Sequence, residues 1–126
     1  FYFIFIFSFS YLEIKYESGD LIEFIGGNAP QSSYDNWLSH VKDVHYNHMD
    51  ELSKLNDVDA RNRLCELNVM EQVRNLARTT VVRDAWQKGQ ELVLHGFVYG
   101  LHNGLINDLG IDIGSTDDLK AQFKQF

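Results

Sequence analysis

Leu64-Cys65-Glu66-Leu67-Asn68-Val69-Met70-Glu71-Gln72-Val73 is the stretch that decides the fold. Leu64, Leu67, Met70 and Val73, followed by Leu76, recur at a spacing that keeps them near one side of an α-helix. The spacing predicts a helix over residues 59–77, with Arg63, Glu66, Arg74 and Arg78 turned away from the apolar stripe. Thr79 and Thr80 then read as a break and a new N-cap. A short helix is expected over 81–88, stopped by Gly89, whose tolerance of the left-handed region suits a helix end.

Upstream, Tyr34, Trp37, Leu38, Val41, Val44, His45, His48, Leu52 and Leu55 share one helical face. They predict a single long helix, capped by Ser32 or Ser33, with Asp35 at the positive end of the dipole and Asn56-Asp57 as its close. Before it, Leu21, Ile22, Phe24 and Ile25 suggest a short strand ended by Gly26-Gly27 and Pro30, the only proline. Downstream, residues 91–99 (ELVLHGFVY) are rich in branched and aromatic side chains and read as a strand. Asn103-Gly104 favours a tight turn, and residues 105–113 supply the returning strand. Residues 117–126 form a weak amphipathic helix or a frayed tail. Three helices followed by a hairpin suit helices layered on a sheet. Two strands alone are marginal, so the hairpin is expected to belong to a larger sheet.

Composition narrows the function. The chain has 126 residues, enough for one domain, and 44% of them are hydrophobic. Its net charge is -7, with eleven Lys and Arg scattered among eighteen Asp and Glu. Nucleic-acid binding by counterion release needs a basic stripe, so that class is set aside. The single cysteine, Cys65, excludes an internal disulfide and any multi-cysteine zinc site, and it fits an intracellular, cytoplasmic setting. Residues 1–12 (FYFIFIFSFSYL) lack the basic start and the cleavage site of a signal peptide. They also fall short of the ~20 apolar residues that cross a bilayer, so no membrane partner is expected. As an edge strand this run would invite aggregation. Its Phe, Ile, Ser and Tyr content is what a T-rich nucleotide tract encodes. Residues 1–30 are therefore set apart as an atypical, possibly non-native segment, and residues 31–126 as the domain proper.

Specific polar identities add a family resemblance. Asn36-Trp37-Leu38 followed by His40-Val41-Lys42-Asp43 resembles the N-W-L-x-H-I-R-D helix of β-class carbonic anhydrases. Residues 64–73 resemble the L-C-E-L-N-V-x-E-Q-V segment of the bacterial type. Trp86-Gln87-Lys88-Gly89-Gln90, then His95-Gly96-Phe97-Val98-Tyr99-Gly100, and then Gly104-Leu105-Ile106-Asn107-Asp108-Leu109-Gly110 match later blocks in the family's order. The resemblance implies an incomplete α/β domain, with helices packed on a small, mostly parallel sheet that ends in an edge hairpin. It also implies reversible hydration of carbon dioxide to bicarbonate, zinc as cofactor, and assembly into dimers or higher oligomers. In such an enzyme two cysteines and a histidine hold the zinc, and the metal lowers the pKa of a bound water so that hydroxide attacks carbon.

The chain departs from the family where the metal should sit. It has no C-x-D-x-R motif. The nearest counterpart of H-x-x-C-G-G is Ile22-Glu23-Phe24-Ile25-Gly26-Gly27, which keeps the glycines but puts isoleucine at both ligand positions. Cys65 corresponds to a helix cysteine of relatives and not to a ligand. No catalytic, cofactor-binding or metal-ligating residue is therefore assigned, and no zinc is expected for this chain by itself.

His45 and His48 with Asp50 or Glu51 could in principle hold a metal, and His40 lies on the same helix; packing on the apolar stripe is the stronger expectation. His95, on the predicted strand, and His102, just after it, suggest a proton shuttle, but without a metal there is no proton to move, which leaves structural roles. Glu66 and Glu71, five apart, do not share a face, and Glu71 is expected to tie its helix to a neighbour. Trp37, Trp86 and Phe97 are expected core residues. Gly26-Gly27 is too short to cradle a phosphate. The leading expectation is a carbonic anhydrase relative that is inactive alone. The alternative is a non-catalytic module that dimerises or pairs with a full-length relative.

Overall fold

The structure is a computed structural model, and it describes residues 2–9, 35–100 and 103–124. In chain order the elements are β1 (Tyr2–Phe9), α1 (Asp35–Asn47), α2 (Met49–Leu52), α3 (Asp57–Ala77), α4 (Thr80–Gln87), β2 (Leu92–Gly100), β3 (Leu105–Ile113) and α5 (Thr116–Gln122).

The sheet has three strands in the order β1-β2-β3. β1 runs parallel to β2, with Tyr2 opposite Leu92 and Phe9 opposite Tyr99. β3 returns antiparallel to β2, and the register shifts between Gly96 and Phe97: Gly96 faces Ile111, whereas Phe97 faces Asp108. The extra residues on β3 include Gly110, at φ +66°, whose N–H donates to Asp108 Oδ1 at 2.8 Å. The sequence made two strands legible. The third comes from residues 2–9, within the segment whose composition sets it apart, and it supplies the parallel neighbour of β2.

The helices assemble the core on one face of this sheet. Leu92, Leu94 and Gly96 alternate along β2 and turn the same way. Leu92 and Leu94 join Ile111 and Ile113 of β3, Val69, Val73 and Ala77 of α3, and Val82 of α4 in one buried cluster. Leu119 of α5 and, just beyond it, Phe123 pack on its margin. The period read from residues 64–76 is thus the period of burial. Leu64, Leu67 and Val73 are buried, and Met70 and Leu76 are partly so.

Local chemistry sets the helix ends, and it corrects the reading of the first helix. That helix is interrupted at His48, whose backbone (φ -119°, ψ 18°) leaves the helical region, and α2 follows as a single turn. Asn56, expected to close the first helix, instead opens the next. Its Oδ1 accepts from the N–H groups of Val58 and Asp59 at 3.1 and 3.0 Å, satisfying orphan donors of α3. Leu55, expected on the buried stripe, is exposed at this corner. Thr79 caps α4 as expected, its side chain accepting from Val82 N. Gly89 takes φ +72° just past the end of α4. The strand expected from residues 21–25, and the caps expected at Ser32 or Ser33, lie outside the described residues.

Candidate functional site

The residues weighed from sequence do not converge. Among the described residues, no group of three or more His, Cys, Asp or Glu side chains could hold a metal ion. Cys65 sits on the core side of α3, only 8% exposed. His40 is exposed on α1. His48 Nδ1 lies 3.8 Å from Glu51 Oε2, one helical turn on, which is a weak surface pair and no ligand set. Asp50, next to it, is exposed.

His45 differs from these. Its Nδ1 is buried and has no hydrogen-bond partner. Its ring meets Tyr46 edge-on with centroids 5.9 Å apart. Burial lowers its pKa from the ordinary value of 6.5, because the charged imidazolium loses hydration there and no carboxylate compensates. This is a packed histidine, as the apolar stripe suggested.

His95, on β2, pairs across the strands with Asp112 of β3, its register partner, through Nδ1 and Oδ1. It stacks on Phe97 at a centroid distance of 6.0 Å. The imidazole is thus engaged with the hairpin itself. His102 lies outside the described residues.

The acidic candidates are also accounted for. Glu66 Oε2 accepts from Arg63 Nη1 at 2.9 Å, and Arg63 Nε also donates to Glu51 Oε1 at 2.5 Å. One guanidinium therefore joins α2 to α3; burial works against its charge, but Glu51 and Glu66 together outweigh that and raise its pKa above the ordinary arginine value. Glu71 was expected to tie α3 to a neighbour; it pairs instead with Arg74 on the same helix, at 3.1 Å. Trp86 anchors α4, its Nε1 donating to Leu92 O at 2.8 Å. The sequence does not reveal the Arg63 bridge, because helical spacing turns Arg63 away from the apolar stripe and its partner Glu51 lies twelve positions upstream.

The architecture is that of an α/β domain whose helices cover one face of a parallel pair extended by a hairpin. Comparison with known proteins gives it a family. The family model described as carbonic anhydrase matches residues 22–106, and the chain belongs to the carbonic anhydrase family. A carbonic anhydrase of Emericella nidulans is 40% identical over 77 residues, covering 60% of this chain and 34% of that protein. The solved structures similar to it place it in the β class. The Coccomyxa β-carbonic anhydrase in complex with acetazolamide superposes with a TM-score of 0.76 at 27% identity, over 94% of this chain and 51% of that one. One of two tetrameric β-carbonic anhydrases of Sordaria macrospora gives 0.70 at 25% identity, over 88% and 53%. The Aspergillus fumigatus β-carbonic anhydrase gives 0.69 at 27% identity, over 98% and 55%. The chain therefore spans about half the length of these structures and a third of the curated relative. No helix among the described residues is long and apolar enough to cross a membrane.

The zinc of β-class enzymes can be tested against the side chains present. A tetrahedral site of the family's kind needs two thiolates and an imidazole. The chain has one thiol, and it faces the core of α3. Among the described residues the donor set does not fit the metal.

Proposed function

We propose that this chain carries the C-terminal part of a β-class carbonic anhydrase domain and that the polypeptide as given does not hydrate carbon dioxide unaided. The observation that supports this reading is the position of Cys65. The only thiol is buried on α3, and among the described residues no three potential ligands come together. The bacterial-type assignment, which we also propose, rests on the residue 64–73 segment. The reading of residues 1–12 as non-native rests on their composition, and sequencing of the transcript across that stretch would test it. An intracellular setting is proposed on the lone cysteine.

Metal analysis and a hydration assay on the purified chain test the main reading. The expected result is substoichiometric zinc and a rate equal to the buffer's own. One zinc per chain together with rapid bicarbonate formation would overturn it.

A second reading, as an interaction module, draws on a separate observation. Leu105 and Ile106, at the start of β3, are 64% and 58% exposed on a strand that pairs on one side with β2. Exposed apolar residues on a strand edge favour a protein partner. The Sordaria relatives are tetrameric. Under this reading the chain self-associates or co-purifies with a full-length relative. Light scattering of the chain alone and after co-expression separates these outcomes from a plain monomer.

A further inference from the structure

The hairpin end holds the chain's only asparagine followed by glycine, Asn103-Gly104, and both residues are exposed. Gly104 stands at φ +69°, where a Cβ would be strained, so the turn itself requires glycine there. The same missing side chain leaves the Gly104 nitrogen unshielded toward the Asn103 amide. In this structure both reacting groups are held by other bonds. Gly104 N–H donates to Gly100 O at 2.8 Å, and Asn103 Oδ1 accepts from Leu105 N at 3.0 Å. The amide is also folded back onto Gly100, so closely that a Cβ on Gly100 would collide with Asn103 Oδ1.

We infer that Asn103-Gly104 is a spontaneous deamidation site gated by the closed turn. When the turn opens, hydroxide takes the Gly104 amide proton and the nitrogen attacks Asn103 Cγ. The N–Cγ bond forms, the Cγ–Nδ2 bond breaks, and Nδ2 takes a proton from water and leaves as ammonia, which returns the hydroxide. Water then opens the cyclic imide at either carbonyl, giving aspartate or isoaspartate. The net change is one water in and one ammonia out, with no oxidant or reductant. The product adds a negative charge to a chain already at -7. The isoaspartyl form also inserts an extra main-chain atom beside the Gly100–Leu105 pair that starts the β2–β3 ladder.

The test is a time course on the full chain at mildly alkaline pH, with peptide mapping for the amide-to-acid mass gain and chromatographic separation of aspartyl from isoaspartyl products. The expected result is conversion at Asn103 before any other asparagine, severalfold faster once urea opens the turn. Gly100→Ala, which displaces the amide without altering either reacting residue, should raise the rate in native buffer, and Asn103→Gln should abolish conversion at that peptide. The inference is overturned if another asparagine leads, or if Asn103 converts equally fast in buffer and in urea.

Discussion

Gly96 on β2 lies under Ile111 on β3, so close that a Cβ placed on the glycine would stand 2.9 Å from Ile111 Cδ1 and 3.2 Å from Val69 Cγ1. The pair sits where the β2–β3 register shifts, with α3 directly above. Gly96→Ala therefore requires the end of the Ile111 side chain to turn aside and the Val69 methyl to give way slightly, both within a buried cluster. The expected cost is about 1–3 kcal/mol, the range for overpacking a dense core. Ile111→Val removes the nearer obstacle, so the double variant should recover part of the loss. Urea unfolding of the two single variants and the double variant measures that coupling, and strict additivity would show that the crowding is relieved elsewhere.

The indole of Trp86 offers a cleaner deletion. Its Nε1–H···O bond to Leu92 spans the turn that joins α4 to β2. Trp86→Phe keeps an aromatic ring at the core margin and removes the donor, leaving the Leu92 carbonyl to find water. A loss of about 1 kcal/mol is expected, the usual net worth of one such bond. Trp86→Ala should cost about 3 kcal/mol or more, because burial is lost as well. Thermal unfolding of both variants checks the order of the two effects.

At the α2–α3 corner the stability rests on a cap. Asn56 satisfies two backbone donors and also donates its amide to Asp59 Oδ2 at 2.7 Å. Asn56→Ala should cost about 1 kcal/mol, and Asn56→Gly less, since glycine leaves the uncapped N–H groups open to water. The readout is the denaturation midpoint at constant slope.

The same corner shows what could be read from sequence and what could not. The step from Leu64 to Leu76 gave the α3 face directly, because burial on a helix follows its turn. The polar identities of residues 36–43, 64–73 and 95–100 gave the family. The interruption at His48 was not legible, because the apolar stripe continues through it to Leu52; the break is a matter of backbone angle and not of side-chain type. The place of residues 2–9 as the parallel partner of β2 was not legible for a different reason: a run of Phe and Ile with no polar alternation lacks the signal of a half-buried strand. The inventory of one cysteine was plain in the sequence, and the structure adds that this cysteine is buried on α3.

His45 makes the remaining prediction, on pH. Its folded pKa is lowered by burial, with its Nδ1 unpaired, while the unfolded chain titrates near the ordinary 6.5. Between the folded and unfolded values the unfolded state binds more protons, so stability rises with pH across that window. The neutral ring's contribution is fully present above the unfolded value and is lost as pH falls through the folded one. His45→Phe, which keeps an aromatic of similar width and cannot charge, should flatten this part of the profile and leave the alkaline side unchanged. Denaturant unfolding at closely spaced pH values between mildly acidic and neutral tests it. An identical slope in the parent and in His45→Phe would show that the acid sensitivity comes from another group, and a slope of opposite sign would show that the folded state takes up the proton through a partner His45 lacks in this structure.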